Sequence, residues 1–288
     1  MTPKPSSRQL PVRLQPFTGE LLSSWICRHA SFYAVSPLVM LQHCLPELTS
    51  LRAANLDLSA NQTKRLATML SVEPRAVRNM TFAKVAGISR RLIGARPLQS
   101  CPHCCPVPSG CGAVLRSQLL GWRITCQLCG EFLNDKDGRE VDSPFCQYRE
   151  AALRGERLLD AEGERGTRTW ASPVDILRLL LMRRIPRPVP DEDEFWRFRV
   201  LGAIVPEFDD LLASQRENLS ASGSPILPLH LRWALLAGVA IVDRAGPAMM
   251  RMLQGHTMGE NRARFGKLAE RSIAHAHRPR AFLQWQLI

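Results

Sequence analysis

No run of apolar residues in this 288-residue chain reaches the ~18 that a membrane-spanning helix needs. The longest, Trp233–Val242, is ten residues long and stops at Asp243-Arg244, so it reads as a buried core helix. The first residues, Met1–Arg13, are polar and proline-bearing, with no apolar stretch followed by a small-residue cleavage site. A secreted or integral membrane protein is therefore disfavoured, and a cytoplasmic one is expected. There is no Gly-x-x-x-x-Gly-Lys-Ser/Thr, which excludes a phosphate-loop ATPase. No Gly-x-Ser-x-Gly, His-Glu-x-x-His or dinucleotide glycine pattern occurs either. Acids are scarce in the first hundred residues: only Glu20, Glu47, Asp57 and Glu73, none in a recognisable strand, so scattered-carboxylate nuclease chemistry has little to work with there. Internal repeats and coiled-coil heptads are also absent.

Lysine is rare. Thirty-three of the 38 basic residues are arginine, the side chain whose planar fork grips phosphate. The net charge is +12, and it is unevenly spread. Residues 1–100 carry +9 and residues 221–288 carry +6, with a near-neutral middle. A GC-rich genome accounts for arginine over lysine but not for the regional excess; a polyanionic partner, most simply nucleic acid, does. Apolar residues at 45% and charged residues at 22% are ordinary globular values. The length suits one large domain or two modest ones, with a core that needs no disulfide staples.

Nine cysteines are present, seven of them between Cys101 and Cys146. An odd count without a secretion signal argues against a disulfide framework. Cys101-Pro-His-Cys104 and Cys126-Gln-Leu-Cys129 have knuckle spacing, in which a tight turn points both sulfurs at one ion. Together they predict one structural Zn2+ held by Cys101, Cys104, Cys126 and Cys129, with no open position for catalysis. Gly130 suits the positive backbone angle that ends such a turn. Cys105 and Cys111 are rival ligands, His103 is expected to point away from the ion, and Cys146 lies too far downstream.

Upstream the pattern is helical. Gly19–Tyr33 places Leu21, Leu22, Trp25, Ile26, His29 and Phe32 on one face. Ser36-Pro37 opens a second helix to Leu45, and the capping box Ser59-x-x-Gln62 opens a third through Leu70. Pro74 starts a fourth to about Lys84. The last two resemble a helix-turn-helix with Leu66, Ala67, Leu70, Val72, Val77 and Met80 inside. Lys64, Arg65, Arg75, Arg78 and Asn79 then face out as candidate DNA contacts. Of these, Arg75, Arg78 and Asn79 are placed to read bases. A helical hairpin with a solvated basic face is the alternative.

Beyond the cysteines, Pro144–Leu159 is expected to be helical and Ala161–Thr169 a charged linker. Ser172-Pro173 caps a helix to about Ile185, and Asp191–Glu194 opens another. Ser220–Pro228 reads as a hinge before the apolar helix Leu229–Arg244, and Arg251–Arg280 as a basic tail that includes His275 and His277. The fold class is mainly α, in three domains: a helical, helix-turn-helix-like 1–97, a zinc-knuckle module 98–142, and a helical 143–288.

The order of these features resembles the TniQ family of transposition proteins. Leu10-Pro-Val-Arg13 and Pro16-Phe-Thr-Gly-Glu20-Leu-Leu-Ser-Ser-Trp25 are similar to its opening signature. Met80-Thr81, Cys101-Pro-x-Cys104, Trp122 and Cys126-x-x-Cys129-Gly130 then follow in the family's order. The likeness covers roughly residues 10–135. Where the family usually has His-Gly, this chain has Cys129-Gly130; where many members carry further cysteine pairs, it has Asn134-Asp-Lys-Asp137. The resemblance implies a non-catalytic accessory protein. It would select the target, by binding DNA or joining an RNA-guided complex, and recruit an AAA+ ATPase and through it the transposase. It leaves open whether the protein forms a homo-oligomer. The alternatives are a zinc-containing helix-turn-helix transcription regulator and a metal-dependent nuclease.

Overall fold

The computed structural model describes residues 9–85, 89–104, 112–184, 198–215, 226–257 and 259–276. The protein is mostly α-helical, and the chain packs as two units, Met1–Val141 and Asp142–Ile288.

The first unit opens with α1 (Leu22–Phe32), α2 (Pro37–Cys44), α3 (Leu51–Leu56), α4 (Ala60–Leu70) and α5 (Pro74–Asn79). Their starts follow from capping chemistry. Ser36, Ser50 and Ser59 each accept a hydrogen bond from a backbone N–H two or three residues into the helix they open. At Ser59 the capping box is complete, since Gln62 reaches back to the Ser59 N–H at 2.9 Å. Leu22, Trp25, Ile26, Leu41, Leu45, Leu66, Leu70 and Val77 form the buried core. Phe32, expected on the inner face of α1, is 53% exposed, because the helix ends there and the chain turns at Ala34 with φ 53°. Helix α3 was not anticipated. The expected fourth helix is shorter than its spacing predicts, since Met80 caps α5 and the Thr81 hydroxyl bonds back to the Arg78 carbonyl.

The rest of this unit has little regular structure. Strand β1 (Gln99–Ser100) pairs antiparallel with β2 (Asn134–Asp135), Gln99 opposite Asp135. The segments around them are held by single bridges, Ile93 with Leu120 and Thr125 with Phe132. The buried Gln99 side chain donates to the Ser117 and Leu120 carbonyls at 2.9 Å each.

The second unit is helix on helix. Helix α6 (Arg149–Arg165) lies against α9 (Leu229–Ala245), and α7 (Pro173–Leu180) packs on both. A Cβ at Gly155 would stand 2.0 Å from the Leu236 carbonyl oxygen, so only glycine lets the two backbones approach this closely. The expected linker at Ala161–Thr169 begins instead as the last turn of α6, which runs to Arg165 before Gly166 ends it. Buried Glu162 accepts from Ser172 at 2.7 Å, from the Val174 N–H at 2.9 Å and from Arg168 at 2.6 Å, tying α6 to the start of α7. The unit is completed by α8 (Glu207–Gln215), α10 (Pro247–Gln254) and α11 (Gly259–Ala276). The expected basic tail is therefore a helical hairpin through residue 276. Asp191–Glu194 and His277 lie outside the described residues, as do the tip of the expected hinge and the rest of the tail. Among the described residues no single helix is long and apolar enough to cross a membrane.

Candidate metal centre and basic hairpin

The opening signature builds the frame that carries the cysteine module. Glu20 is fully buried one residue ahead of the α1 cap, and four donors converge on it. Arg28 holds it with a two-pronged fork at 2.8 and 2.7 Å, Ser24 donates at 3.0 Å and the Phe17 N–H at 3.0 Å. Trp25 is buried and donates its indole N–H to the Leu14 carbonyl at 2.8 Å. These contacts wrap residues 9–19 around α1. The same segment then pairs with the chain near the cysteines. Glu20 bridges Leu115, the Leu21 N–H donates to the Val114 carbonyl at 2.8 Å, and the Arg116 N–H to the Gly19 carbonyl at 2.9 Å.

The structure brings Cys101, Cys104, Cys126 and Cys129 together, with all four sulfurs within 4.8 Å of one another. Cys101 Sγ and Cys129 Sγ are 3.5 Å apart. Four thiolates ~2.3 Å from a tetrahedral ion stand ~3.8 Å from each other, so the cluster has the dimensions of a metal site. The knuckle turns also have their supporting bonds. The Cys104 N–H points at Cys101 Sγ (3.3 Å), the Leu128 N–H at Cys126 Sγ (3.4 Å), and Gly130, at φ 81°, closes on the Cys126 carbonyl at 2.9 Å. Cys101 and Cys126 are buried, and Cys129 is exposed.

Proton affinities fit this chemistry. Hydrogen bonding among the thiols, first with Cys129, pushes the Cys104 thiol up to about 12. Burial raises Cys126, while the Glu131 backbone N–H holds Cys129 below its usual range. A cation seated among the four sulfurs would displace their protons, so the set can bind a metal ion by exchanging protons for it. His103 is exposed, Cys146 belongs to the second unit, and Cys105 and Cys111 lie outside the described residues.

The α4–α5 hairpin buries Leu66, Ala67, Leu70, Val77 and Met80, with Val72 partly buried against them. The turn between the helices contains no glycine; Ser71 takes the left-handed conformation at φ 51°, ψ 51°. Lys64, Arg65, Arg75, Arg78 and Asn79 are all exposed. The structure separates them into two groups. Arg75, Arg78 and Asn79 line one open groove of about 410 Å³ beside Thr63 and Lys84, whereas Lys64 and Arg65 lie off it on α4. Arg65 faces the Glu47 carboxylate, which is held below its usual range first by its own backbone N–H, then by Gln62 and Arg65. Lys84, absent from the sequence-derived set, donates to Asn79 Oδ1 at 3.3 Å. The signal for it was its position just past α5, at the edge of the expected helix.

The whole is thus a mostly helical protein whose N-terminal unit carries four clustered cysteines that could hold a metal ion, and a basic hairpin. Residues 11–129 match the family model TniQ, a stretch that starts at Pro11 and ends on the last of the four cysteines. That stretch is accordingly similar to the TniQ family. The match spans under half of the chain. No protein among curated sequences and none among solved structures matches it.

Proposed function

We propose that this chain is a non-catalytic accessory protein of DNA transposition, which helps to select the target and recruits an AAA+ ATPase and the transposase. The observation that carries this reading is the TniQ match across 11–129, since it contains the opening signature, the basic hairpin and all four cysteines. The lack of a phosphate-loop motif supports an ATPase supplied by a partner. The four-sulfur donor set favours zinc, because soft thiolates in a tetrahedron suit it and leave no coordination position for substrate. Cys101, Cys104, Cys126 and Cys129 would then cross-link the cysteine segment to the frame built by Glu20 and Trp25. Arg75, Arg78 and Asn79 are the DNA contacts best supported by the groove they share, with Lys64 and Arg65 as flanking phosphate contacts. Functionally, 1–97, 98–142 and 143–288 are treated as a DNA-contacting part, a zinc module and a C-terminal helical part. The site of action is the nucleoid, where DNA or an RNA-guided complex supplies the target.

The test is an insertion assay with and without this protein, paired with co-purification against the products of adjacent genes. Loss or redistribution of insertions, with an ATPase retained on the purified chain, is expected. Unchanged insertion frequency and target distribution, with no ATPase retained, would overturn the adaptor reading in favour of a transcription regulator. Magnesium-dependent cleavage of DNA by the purified chain would instead identify a nuclease.

A further inference from the structure

The second unit, which the TniQ match does not reach, ends in another helical hairpin. Helix α9 is buried along most of its length, and the chain bends by 118° into α10. Four residues separate α10 from α11. The connection is pinned by its own hydrogen bonds: the His256 N–H to the Leu253 carbonyl at 3.0 Å, and the Thr257 hydroxyl to the Gln254 carbonyl at 2.8 Å. Met250, Leu253, Thr257, Phe265 and Ala269 are buried and fix one face of α11 inward.

The exposed positions are mostly basic, with Glu260 and Glu270 standing among Arg262, Arg264, Lys267 and Arg271. Arg264, Lys267 and Arg271 fall at intervals of three and four residues, one stripe of the helix, and all three are exposed. Arg271 is engaged, since its guanidinium pairs with Asp175 on α7 at 3.3 Å. Arg264 and Lys267 have no ion pair among the described residues, and neither has Arg262 in the first turn. Arg264 and Lys267 are thus left to attract a polyanion, which would relieve their mutual repulsion.

We infer that the α10–α11 hairpin is a second DNA-binding surface, in which Arg264 and Lys267 contact backbone phosphates as α11 lies along a major groove. The shape decides between duplexes. An α-helix with its side chains is about 10–12 Å across, and the major groove of B-form DNA is about 12 Å wide. The corresponding groove of A-form RNA is deep and too narrow to admit side chains. Helix α11 has 18 residues, against six in α5, so it is the longer reading element of the two hairpins. The inference stands independently of the α4–α5 surface.

The experiment measures the salt dependence of binding of the full-length protein to a labelled random-sequence DNA duplex and to an RNA duplex of the same sequence. Arg264→Ala with Lys267→Ala is compared with Arg75→Ala with Arg78→Ala and with the unaltered chain. All four side chains are exposed, and circular dichroism checks that both variants fold. Arg264→Lys serves as the charge-preserving control. Each phosphate contact contributes about 0.9 to the log–log slope, so the α11 variant is expected to lose a little under two on DNA, and Arg264→Lys almost nothing. An unchanged slope on DNA in the α11 variant would overturn the inference. So would an equal loss on the RNA duplex, which would make α11 a general polyanion surface. An unchanged slope in the α5 variant alone would count against the first-unit contacts and leave α11 standing.

Discussion

The two units solve the same problem of stability with different materials. The second unit buries long helices against one another, with α6 and α9 close enough that a glycine is required between them. The first has a helical half, but its part beyond residue 85 relies on two-residue strands, isolated bridges and side chains that bond to backbone. Apolar burial is distributed and tolerant of single losses, whereas cross-links concentrate stability in a few atoms. The first unit should therefore fail abruptly when one of those atoms is removed, and the second by degrees.

The largest effect should come from the metal centre. Structural zinc in finger peptides contributes ~10–16 kcal/mol of folding free energy. Removing it by chelation, or by changing Cys101 and Cys126 to serine, should unfold the segment around residues 99–135. Hydrogen exchange read peptide by peptide is the suitable measurement. Protection should vanish there and in the paired residues 19–21, and persist in α6 and α9. Metal analysis of the unaltered protein should find about one zinc per chain. Wild-type zinc content in a variant with Cys101, Cys104, Cys126 and Cys129 all changed to serine would move the ligand set elsewhere, and uniform loss of protection in both units would remove the contrast between them.

Next in size is Glu20. Truncating one partner of a buried ion pair costs ~3–5 kcal/mol, because the remaining charge keeps its desolvation without its partner. Glu20→Ala strips Arg28, Ser24 and the Phe17 N–H of their common acceptor. An unfolding free energy for the first unit that falls by this amount in denaturant titration, with second-unit protection unchanged, is expected. An equal fall in both units would mean that the frame is shared.

The complementary break is Gly155→Ala. The added methyl would meet the Leu236 carbonyl, and overpacking of this kind costs ~1–3 kcal/mol. The second unit should lose stability while zinc content and first-unit protection remain. Unaltered stability would show that α6 can slide on α9, so that the close approach is not what positions them.

What could be read from the sequence follows the same division. Capping residues were visible because they act within three residues: Ser36, Ser59 and Ser172 each start the helix expected of them. The cysteine pairs were visible because ligand spacing is local within each knuckle. Helix α3 was missed because six residues carry too little periodicity, although Ser50 offered a cap. One glycine misled: Gly163 sits buried inside α6, where tertiary packing overrides its low propensity. The basic residues of 251–276 read as a tail but lie on the helices α10 and α11. The pairing of residues 19–21 with 114–116 left no local trace, since over ninety residues separate the partners. That pairing is what joins the opening signature to the cysteine segment.

The smallest effect sharpens the comparison through pH, and it rests on His29 in α1. Its ring is buried between two backbone groups: the Leu14 N–H donates to Nε2 at 3.1 Å, and Nδ1 lies 2.9 Å from the Trp25 carbonyl. Since Nε2 must accept, the proton sits on Nδ1 and the ring is neutral. Burial first, and the Arg28 charge after it, hold the group below its usual 6.5, against the opposing pull of the Trp25 carbonyl and Glu20. The unfolded chain therefore binds a proton at a higher pH than the folded one does. Stability from His29 is complete above about 6.5 and is lost as pH falls through that value, by no more than about 1.4 kcal/mol per pH unit for one proton. Thiolates holding the proposed zinc would also take up protons in acid, so the wild-type curve alone is not diagnostic. The difference between wild type and His29→Gln isolates the ring, because the cysteines are common to both. The variant should be less stable at neutral pH, with a gap that narrows from about pH 7 to pH 5. A gap that stays constant across that range would show that His29 binds its proton equally well in the folded and unfolded chain, and would remove the Leu14 bond from the frame that holds the first unit.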